Sequence, residues 1–162
     1  MSERRPIVPV SQPLLPRASA VVARAFHDTH YLTGALDALE CAVRAPNAEG
    51  RALASVRGDD VLGVIVFGMF GGTSDAGRLH FVAVESRARR QGVARALVNA
   101  AIKALDAAHA RFVLAELPDD PRALDGSRDF LEALGFSEES RIDDFHRDGI
   151  ALVFMRRELS RD

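Results

Sequence analysis

Short apolar segments separated by glycine-containing turns occupy the middle of the chain. Residues 52–57, 61–70 and 78–84 each form such a segment, and the connections between them are short. Short connections favour antiparallel neighbours, so this pattern predicts three consecutive antiparallel strands. Residues 6–10 predict a short strand at the edge of the sheet, because their two prolines cannot donate hydrogen bonds in a central strand.

A helical spacing of apolar residues marks the region before these strands. Residues 16–39 are rich in Ala and Leu, which predicts one or two short helices with a break near Thr33-Gly34 or before Pro46. The sole cysteine, Cys41, is expected to be a small buried apolar residue. No histidine stands near it in a pattern that would make it a nucleophile.

The second half of the chain alternates between helical and strand patterns. Residues 92–108 have apolar positions that bury one helix face, and residues 111–117 form another apolar segment. A strand, helix and strand of these lengths imply a right-handed crossover, which places strands 78–84 and 111–117 parallel in one sheet.

The C-terminal part predicts a helix followed by a hairpin. The helix covers residues 123–134 and ends at Gly135, and strands at 141–145 and 150–159 flank a turn at Asp148-Gly149. Altogether the pattern predicts an α/β fold with a mixed, mostly antiparallel sheet of six to seven strands flanked by about four helices. We expect residues 1–162 to form one domain, with residues 1–10 either flexible or an edge strand.

Composition narrows the possible partners. The chain has 162 residues, with 21 Lys and Arg against 23 Asp and Glu, giving a net charge of −2. This balance argues against nucleic acid or an anionic membrane as the main partner. A single cysteine cannot form an intramolecular disulfide and does not favour a metal site. With no apolar leader segment in view, these features predict a cytoplasmic protein without bound metal.

The segment with the clearest chemistry is Arg89-Arg90-Gln91-Gly92, which lies between a predicted strand and a predicted helix. Backbone N–H groups at a helix N-terminus carry partial positive charge, and Gly92 lets a ligand approach the backbone. The arginines add full charges. The segment therefore predicts a pyrophosphate site, the alternative being a solvated basic loop.

This segment, together with the order of the elements, resembles the GNAT superfamily of N-acetyltransferases. The family motif is Gln/Arg-x-x-Gly-x-Gly/Ala between the fourth strand and the third helix, and Arg89, Gly92 and Ala94 occupy its defined positions. Gly135-Phe136 matches the Gly-Phe that commonly follows the fourth helix in this family. The resemblance extends over nearly the whole chain.

The resemblance implies acetyl-CoA, or another acyl-CoA, as cosubstrate. It implies acyl transfer to a primary amine, of a small molecule or a peptide, by direct transfer in a ternary complex. The two parallel strands would separate and admit the pantetheine, and a backbone N–H near Val82 or Val84 would polarise the acyl carbonyl. The expected cofactor-binding residues are Val82, Ala83, Val84, Arg89, Arg90, Gln91, Gly92, Val93, Ala94 and Arg95. Homodimers are common in the family.

Two residues are candidates for the general base that deprotonates the amine. His80 precedes the cofactor segment, and Glu116 ends the predicted strand 111–117. The alternatives are a histidine on the outer face of the sheet and a carboxylate in a salt bridge. Asp119 and Asp120 are predicted to form a turn and to add negative charge at the substrate mouth. His146 is either a site residue or a surface histidine near the last turn.

The sequence departs from the family where a thiolate would be protonated. Many members have a tyrosine at the position of Leu131 and an asparagine at that of Leu124. Water, Ser127 or a residue of the N-terminal helices could substitute for the tyrosine. Tyr31, the only tyrosine of the chain, lies in that N-terminal region and is a further candidate for a role in the site. The rival hypotheses are a module that binds or senses acyl-CoA without efficient transfer, and a protein that sequesters a small molecule.

Overall fold

A computed structural model describes residues 5–72, 75–122 and 126–159 of the chain. Within these residues the chain forms seven strands and four α-helices: β1 Ile7–Pro9, α1 Leu15–Ala25, α2 Leu32–Arg44, β2 Arg51–Arg57, β3 Asp60–Met69, β4 Ala76–Val84, α3 Val93–Ala107, β5 Phe112–Pro118, α4 Ser127–Ala133, β6 Ser137–Arg147 and β7 Ile150–Glu158. The predicted α/β class and element order are confirmed.

All seven strands belong to one sheet, in the order β1-β2-β3-β4-β5-β7-β6. Every neighbouring pair is antiparallel except β4 and β5, which are parallel and are connected through α3. The predicted parallel pairing of these two strands, connected through a helix, is therefore confirmed. The edge position of β1 agrees with its prolines, whose nitrogens have no hydrogen to donate.

The sheet separates two apolar cores, and β3 contributes to both of them. Val64 and Val66 are buried in the core that contains α1 and α2, whereas Ile65 and Phe67 are buried in the core that contains α3 and α4. This division follows from the two-residue side-chain period of a strand. Because both faces are covered, β3 is a continuous apolar run and does not alternate with polar residues.

Two expectations about the N-terminal helices are wrong. The break expected near Thr33-Gly34 lies instead between α1 and α2 at residues 26–31, and Thr33 and Gly34 lie inside α2. The alternative, a break before Pro46, is confirmed, because α2 ends at Arg44. Cys41 is exposed on α2. Helical periodicity explains this position, because the buried residues of α2 form a stripe that excludes residue 41: Ala35, Leu39, Ala42 and Val43.

The C-terminal boundaries also differ from expectation. α4 begins at Ser127, and residues 123–125 of the predicted helix lie outside the described part of the chain. The hairpin turn at Asp148-Gly149 is confirmed, but β6 extends over Ser137–Arg147 and its side chains are exposed. An exposed edge strand has no apolar alternation, which is why the sequence pattern located only part of it.

A close backbone contact fixes the loop between α2 and β2 against the end of β3. The Ala48 carbonyl accepts a hydrogen bond from the Met69 N–H at 2.6 Å. A Cβ added to Gly68 would lie 2.2 Å from the carbonyl carbon and oxygen of Glu49. Glycine at position 68 therefore allows this approach, as its place inside an apolar strand predicts.

We expect Gly68→Ala to lower the free energy of unfolding by about 1–3 kcal/mol, because backbone atoms cannot move aside cheaply. Gly34→Ala is the matched control, since an added Cβ there meets no atom within 4 Å. It should raise the free energy of unfolding by about 0.5–1 kcal/mol, because alanine loses less entropy in a helix. Urea denaturation measures both. Equal effects of the two substitutions would contradict the role assigned to Gly68.

Candidate active site

The parallel strands β4 and β5 are paired over only part of their length. Their pairing runs from Ala76 with Phe112 to Leu79 with Ala115 and then stops. Beyond this point β4 stays paired with β3 as far as Val84, and β5 stays paired with β7 as far as Pro118. The two strands thus separate inside the sheet and leave a gap, as the resemblance implied.

A β-bulge lies at the point where the strands separate. Val66 of β3 faces Phe81 of β4, but the next residue, Phe67, faces Leu79, so His80 is the additional residue. A bulge bends its strand, increases the local twist and redirects side chains. It therefore accounts both for the divergence of β4 from β5 and for the placement of His80 at the gap.

The backbone of β4 beyond the bulge presents polar groups to the gap. The Glu85 N–H donates to the Leu62 carbonyl at 2.9 Å, which continues the register between β3 and β4. Successive residues of a strand direct their N–H groups to opposite sides, so Ala83 bonds to β3. The N–H groups of Val82 and Val84 consequently point towards the gap, where β5 does not pair with them.

The turn before α3 has a backbone conformation that orients N–H groups outwards. Arg90 has φ of 60° and Gly92 has φ of 77°, both in the left-handed region. No side chain caps the helix, so the first amides of α3 have no acceptor of the usual capping kind. A Cβ added to Gly92 would meet no atom within 4 Å, which shows open space for a ligand.

The charges of the turn are available for a ligand. Arg89, Arg90 and Arg95 are exposed, and within the described chain no carboxylate pairs with them. Arg87 differs, because it forms an ion pair with Asp60 at 3.2 Å. Val93 contributes only its backbone, since its side chain is buried. The predicted anion site therefore has a suitable geometry and free positive charge.

Sequence reasoning missed Arg5, which also reaches this turn. Its guanidinium donates to the Gln91 carbonyl at 3.0 Å and to the Gln91 side-chain oxygen at 2.8 Å. The sheet register explains the contact, because Ile7, Ser55, Gly63 and Val84 form one row across four strands. The residues just before β1 and the turn after β4 therefore lie at the same end of the strands. No local signal could reveal a contact between residues so distant in sequence.

A cavity of about 410 Å³ opens at the gap between β4 and β5. Its walls come from the segment between α1 and α2, from α2, β3, β4, α3, β5 and α4, and from the terminal hairpin. Its lining includes the expected cofactor-binding residue Val82 and the residues considered for proton transfer or as departures from the family pattern: Tyr31, His80, Glu116, Ser127, Leu131 and His146. The structure therefore brings both candidate bases and the proposed substitutes for the missing tyrosine to one cavity.

His80 has the protonation state that a base requires. Its Nε2 lies 3.2 Å from the Glu49 carbonyl oxygen, which can only accept, so Nε2 carries the hydrogen and Nδ1 is the basic nitrogen. Burial, with a smaller effect of the Arg78 guanidinium, lowers the pKa of His80 below its ordinary 6.5. The imidazole is consequently neutral at pH 7.

Glu116 is engaged by a cation of the neighbouring strand. Its carboxylate oxygen lies 3.0 Å from Nη2 of Arg78, and both side chains are partly buried. The pairing that the sequence left open as an alternative is therefore present. Glu116 nevertheless lines the cavity, so an incoming ammonium would share this carboxylate with Arg78.

Asp120 belongs to a hydrogen-bonded cluster beside the cavity mouth. Its carboxylate accepts from the Tyr31 hydroxyl at 3.1 Å and lies 3.5 Å from Nη2 of Arg147. It also accepts from the Arg122 N–H at 3.1 Å, which confirms its predicted turn-forming role. Burial and the Asp120 hydrogen bond raise the pKa of Tyr31 to about 12, so the phenol stays protonated.

Both aspartates that were expected to form a negative rim at the substrate mouth lie next to arginines of β6. Asp120 is buried and is balanced by Arg147, and Asp119 forms an ion pair with Arg141 at 2.7 Å. Arg141 is also paired with Asp143 at 2.9 Å, so one arginine is shared by two carboxylates. A negative rim at the mouth therefore stays a prediction, to which the more exposed Asp119 and Asp143 would contribute more than the buried Asp120.

Comparison with known proteins identifies the class to which this site belongs. The family model described as "Acetyltransferase (GNAT) family" matches residues 20–136, which include the gap, the turn and α4. The chain belongs to the GNAT acetyltransferase family. No curated protein sequence matches the chain significantly.

Solved GNAT structures share the fold over nearly the full length of both chains. A GNAT-family protein from Desulfovibrio desulfuricans has a TM-score of 0.88 at 21% identity, with 97% of this chain and 100% of that chain covered. An aminoglycoside 6'-N-acetyltransferase complexed with coenzyme A has 0.77 at 17%, covering 97% and 99%. The ribosomal-protein-alanine N-acetyltransferase of Brucella melitensis has 0.75 at 22%, covering 95% and 99%.

The departure from the usual GNAT pattern is located in the cavity itself. Leu131 is buried and lines the cavity, so an apolar side chain occupies the position where many GNAT members have a tyrosine. Leu124, the other departure, lies outside the described residues. Among those described, no group of three His, Cys, Asp or Glu side chains is arranged to hold a metal, and no helix is long and apolar enough to cross a membrane.

Gly92→Glu should weaken acetyl-CoA binding at least about tenfold, because it places a carboxylate on a turn that is suited to phosphate. Gly149→Glu is the control: Gly149 also has positive φ, at 80°, and open space, but lies in the terminal hairpin. Calorimetry measures both affinities. Equal affinities for the two variants would contradict the assignment of the turn.

Proposed function

We propose that this protein is an N-acetyltransferase that moves an acetyl group from acetyl-CoA to a primary amine within a ternary complex. The observation that carries the proposal is the free edge of β4. Val82 and Val84 present backbone groups to the gap, the basic turn begins just after them, and the cavity with two candidate bases opens beside them. The proposal also draws on membership of the family.

Each part of the site would bind a different part of acetyl-CoA. The N–H groups of Val93, Ala94 and Arg95, with the charges of Arg89 and Arg90, would hold the pyrophosphate. The β4 edge would pair with the pantetheine amides as an added strand does. Acetyl-CoA supplies the thioester carbonyl, and an N–H of Val82 or Val84 would polarise it. Gln91 is held in place by Arg5.

Two side chains of the cavity wall, His80 and Glu116, would orient and deprotonate the amine. Neutral His80 presents Nδ1 as a basic nitrogen, since its Nε2 faces the Glu49 carbonyl. Glu116 would hold the incoming ammonium while sharing its charge with Arg78. We therefore assign the base to His80 and the orientation of the ammonium to Glu116. Holding both reactants in place is the larger contribution to the rate, on the order of 7–11 kcal/mol at best.

Protonation of the departing thiolate has no partner at the usual position. Leu131 offers no proton, and Ser127 and Tyr31 are the lining residues with hydroxyl groups. Tyr31 donates its hydrogen to Asp120, which makes it a poor acid for a group elsewhere. The thiolate of coenzyme A is a good leaving group, and water entering the cavity would protonate it.

The second candidate function is binding of acyl-CoA without efficient transfer. The buried Leu131 in the cavity wall favours it, because a missing acid slows only the chemical step. Release of the free thiol from acetyl-CoA in the presence of primary amines, with the acetylated product identified by mass spectrometry, separates the two functions. Binding without amine-dependent release would support the second function and overturn the first.

The pH dependence of kcat/KM distinguishes the two candidate bases. If His80 is the base, the wild-type profile should fall at acidic pH with a pKa below 6.5, because protonation of the imidazole removes the base. His80→Gln should lower the rate about 10²–10⁴-fold and remove this acidic limb. Glu116→Gln should keep the limb and mainly raise the KM for the amine. A limb that persists in His80→Gln and disappears in Glu116→Gln would assign the base to Glu116.

A further inference from the structure

We propose that the acceptor is a monoamine attached to an apolar body about the size of an aromatic ring. A polyamine, an aminoglycoside or a peptide N-terminus does not fit this site as well. The inference rests on the proposed transfer of an acetyl group to an amine, and it names the substrate class of that same cavity. Three features of the described residues carry it.

The first feature is the apolar character of the cavity wall. Phe26, Phe81 and Phe130 line it, together with Ala35, Leu117 and Leu152. A site that recognised a polyhydroxylated or polycationic acceptor would need polar groups at these positions, because burying a ligand's polar groups without hydrogen-bond partners is unfavourable. Burying an apolar body against apolar walls is favourable instead.

The second feature is the charge balance around the cavity. Glu116 is the one carboxylate among the described lining residues, and it already faces Arg78 at 3.0 Å. At the mouth, the buried Asp120 lies next to Arg147, and Arg141 is shared between Asp119 and Asp143. A first ammonium would share the Glu116 carboxylate with Arg78. A second ammonium would find no other carboxylate among the described lining residues, and the positive charge of Arg78 would oppose its entry.

The third feature is a rigid aromatic frame. Phe26 and Phe81 are packed edge to face with centroids 5.7 Å apart, and Tyr31 and His146 are packed in the same way at 5.6 Å. The Tyr31 ring cannot turn away without losing its hydrogen bond to the buried Asp120. Fixed rings of this kind offer edges and faces to an aromatic ligand at low entropic cost.

The test compares acceptors in the thiol-release assay with 2-phenylethylamine, spermidine, kanamycin and an alanyl tetrapeptide. We expect kcat/KM for 2-phenylethylamine to exceed that of each other amine by about tenfold or more. Equal or faster reaction with spermidine, kanamycin or the tetrapeptide would overturn the inference and leave the proposed function intact. Release with none of the amines would overturn the proposed function, and this inference with it.

A designed change of charge tests the same inference from the opposite direction. Gly34 lines the cavity, is exposed and has open space for a side chain, so a substitution there needs no repacking. Gly34→Glu adds a second carboxylate and should shift the ratio of kcat/KM towards spermidine by about tenfold. Gly34→Gln, of the same size but neutral, should leave the ratio near that of the wild type. If both variants change the ratio equally, charge does not control the choice of acceptor, and the inference fails.

Discussion

The early end of the pairing between β4 and β5 is the constraint on which the site depends. A regular parallel pair would bond every backbone group of β4 and would close the sheet. Here pairing ends after Leu79, and the bulge at His80 bends β4 away from its neighbour. One local irregularity thus creates a free strand edge, an apolar cavity and a redirected histidine. The turn at Arg90 and Gly92 follows within the same short stretch of chain.

The neighbouring segments keep this opening in place. Arg24 of α1 forms an ion pair with the buried Glu85, at the end of β4 and just before the basic turn. The loop at Glu49 contacts both Gly68 and the ring of His80. At the cavity mouth, the cluster of Tyr31, Asp120 and Arg147 connects the start of α2 to the end of β5 and to the terminal hairpin. Contacts between separate elements therefore support each wall of the cavity.

The sequence was most informative where local patterns decide the structure. The strand, basic turn and helix around Gly92 have local signals of periodicity, charge and glycine, and their arrangement followed from them. The parallel crossover followed from the lengths of these elements. The solvent-facing position of Cys41 was missed because neighbouring residues of a helix lie on different faces, so an error of one position exchanges a buried site for an exposed one. The predicted break at Gly34 was wrong because a glycine with open surroundings is tolerated inside a helix.

Features that join distant segments could not be predicted from the sequence. The contact of Arg5 with Gln91 depends on the register of four strands, and the pairing of Asp119 and Asp120 with arginines depends on where β6 crosses the turn after β5. The bulge at His80 is a property of the pairing of β3 with β4, and the β4 sequence alone does not contain it. Several side chains named from the sequence therefore line one cavity, whereas their partners were found only in three dimensions.

Amide hydrogen exchange at β4, measured by NMR with and without acetyl-CoA, tests the central claim most directly. The account predicts that the Val82 and Val84 amides exchange readily in the free protein and become protected when acetyl-CoA binds. Ala83 is the internal reference, because its N–H is already bonded to β3 and should be protected in both states. Binding of acetyl-CoA without added protection at Val82 and Val84 would contradict the claim that the free edge of β4 receives it.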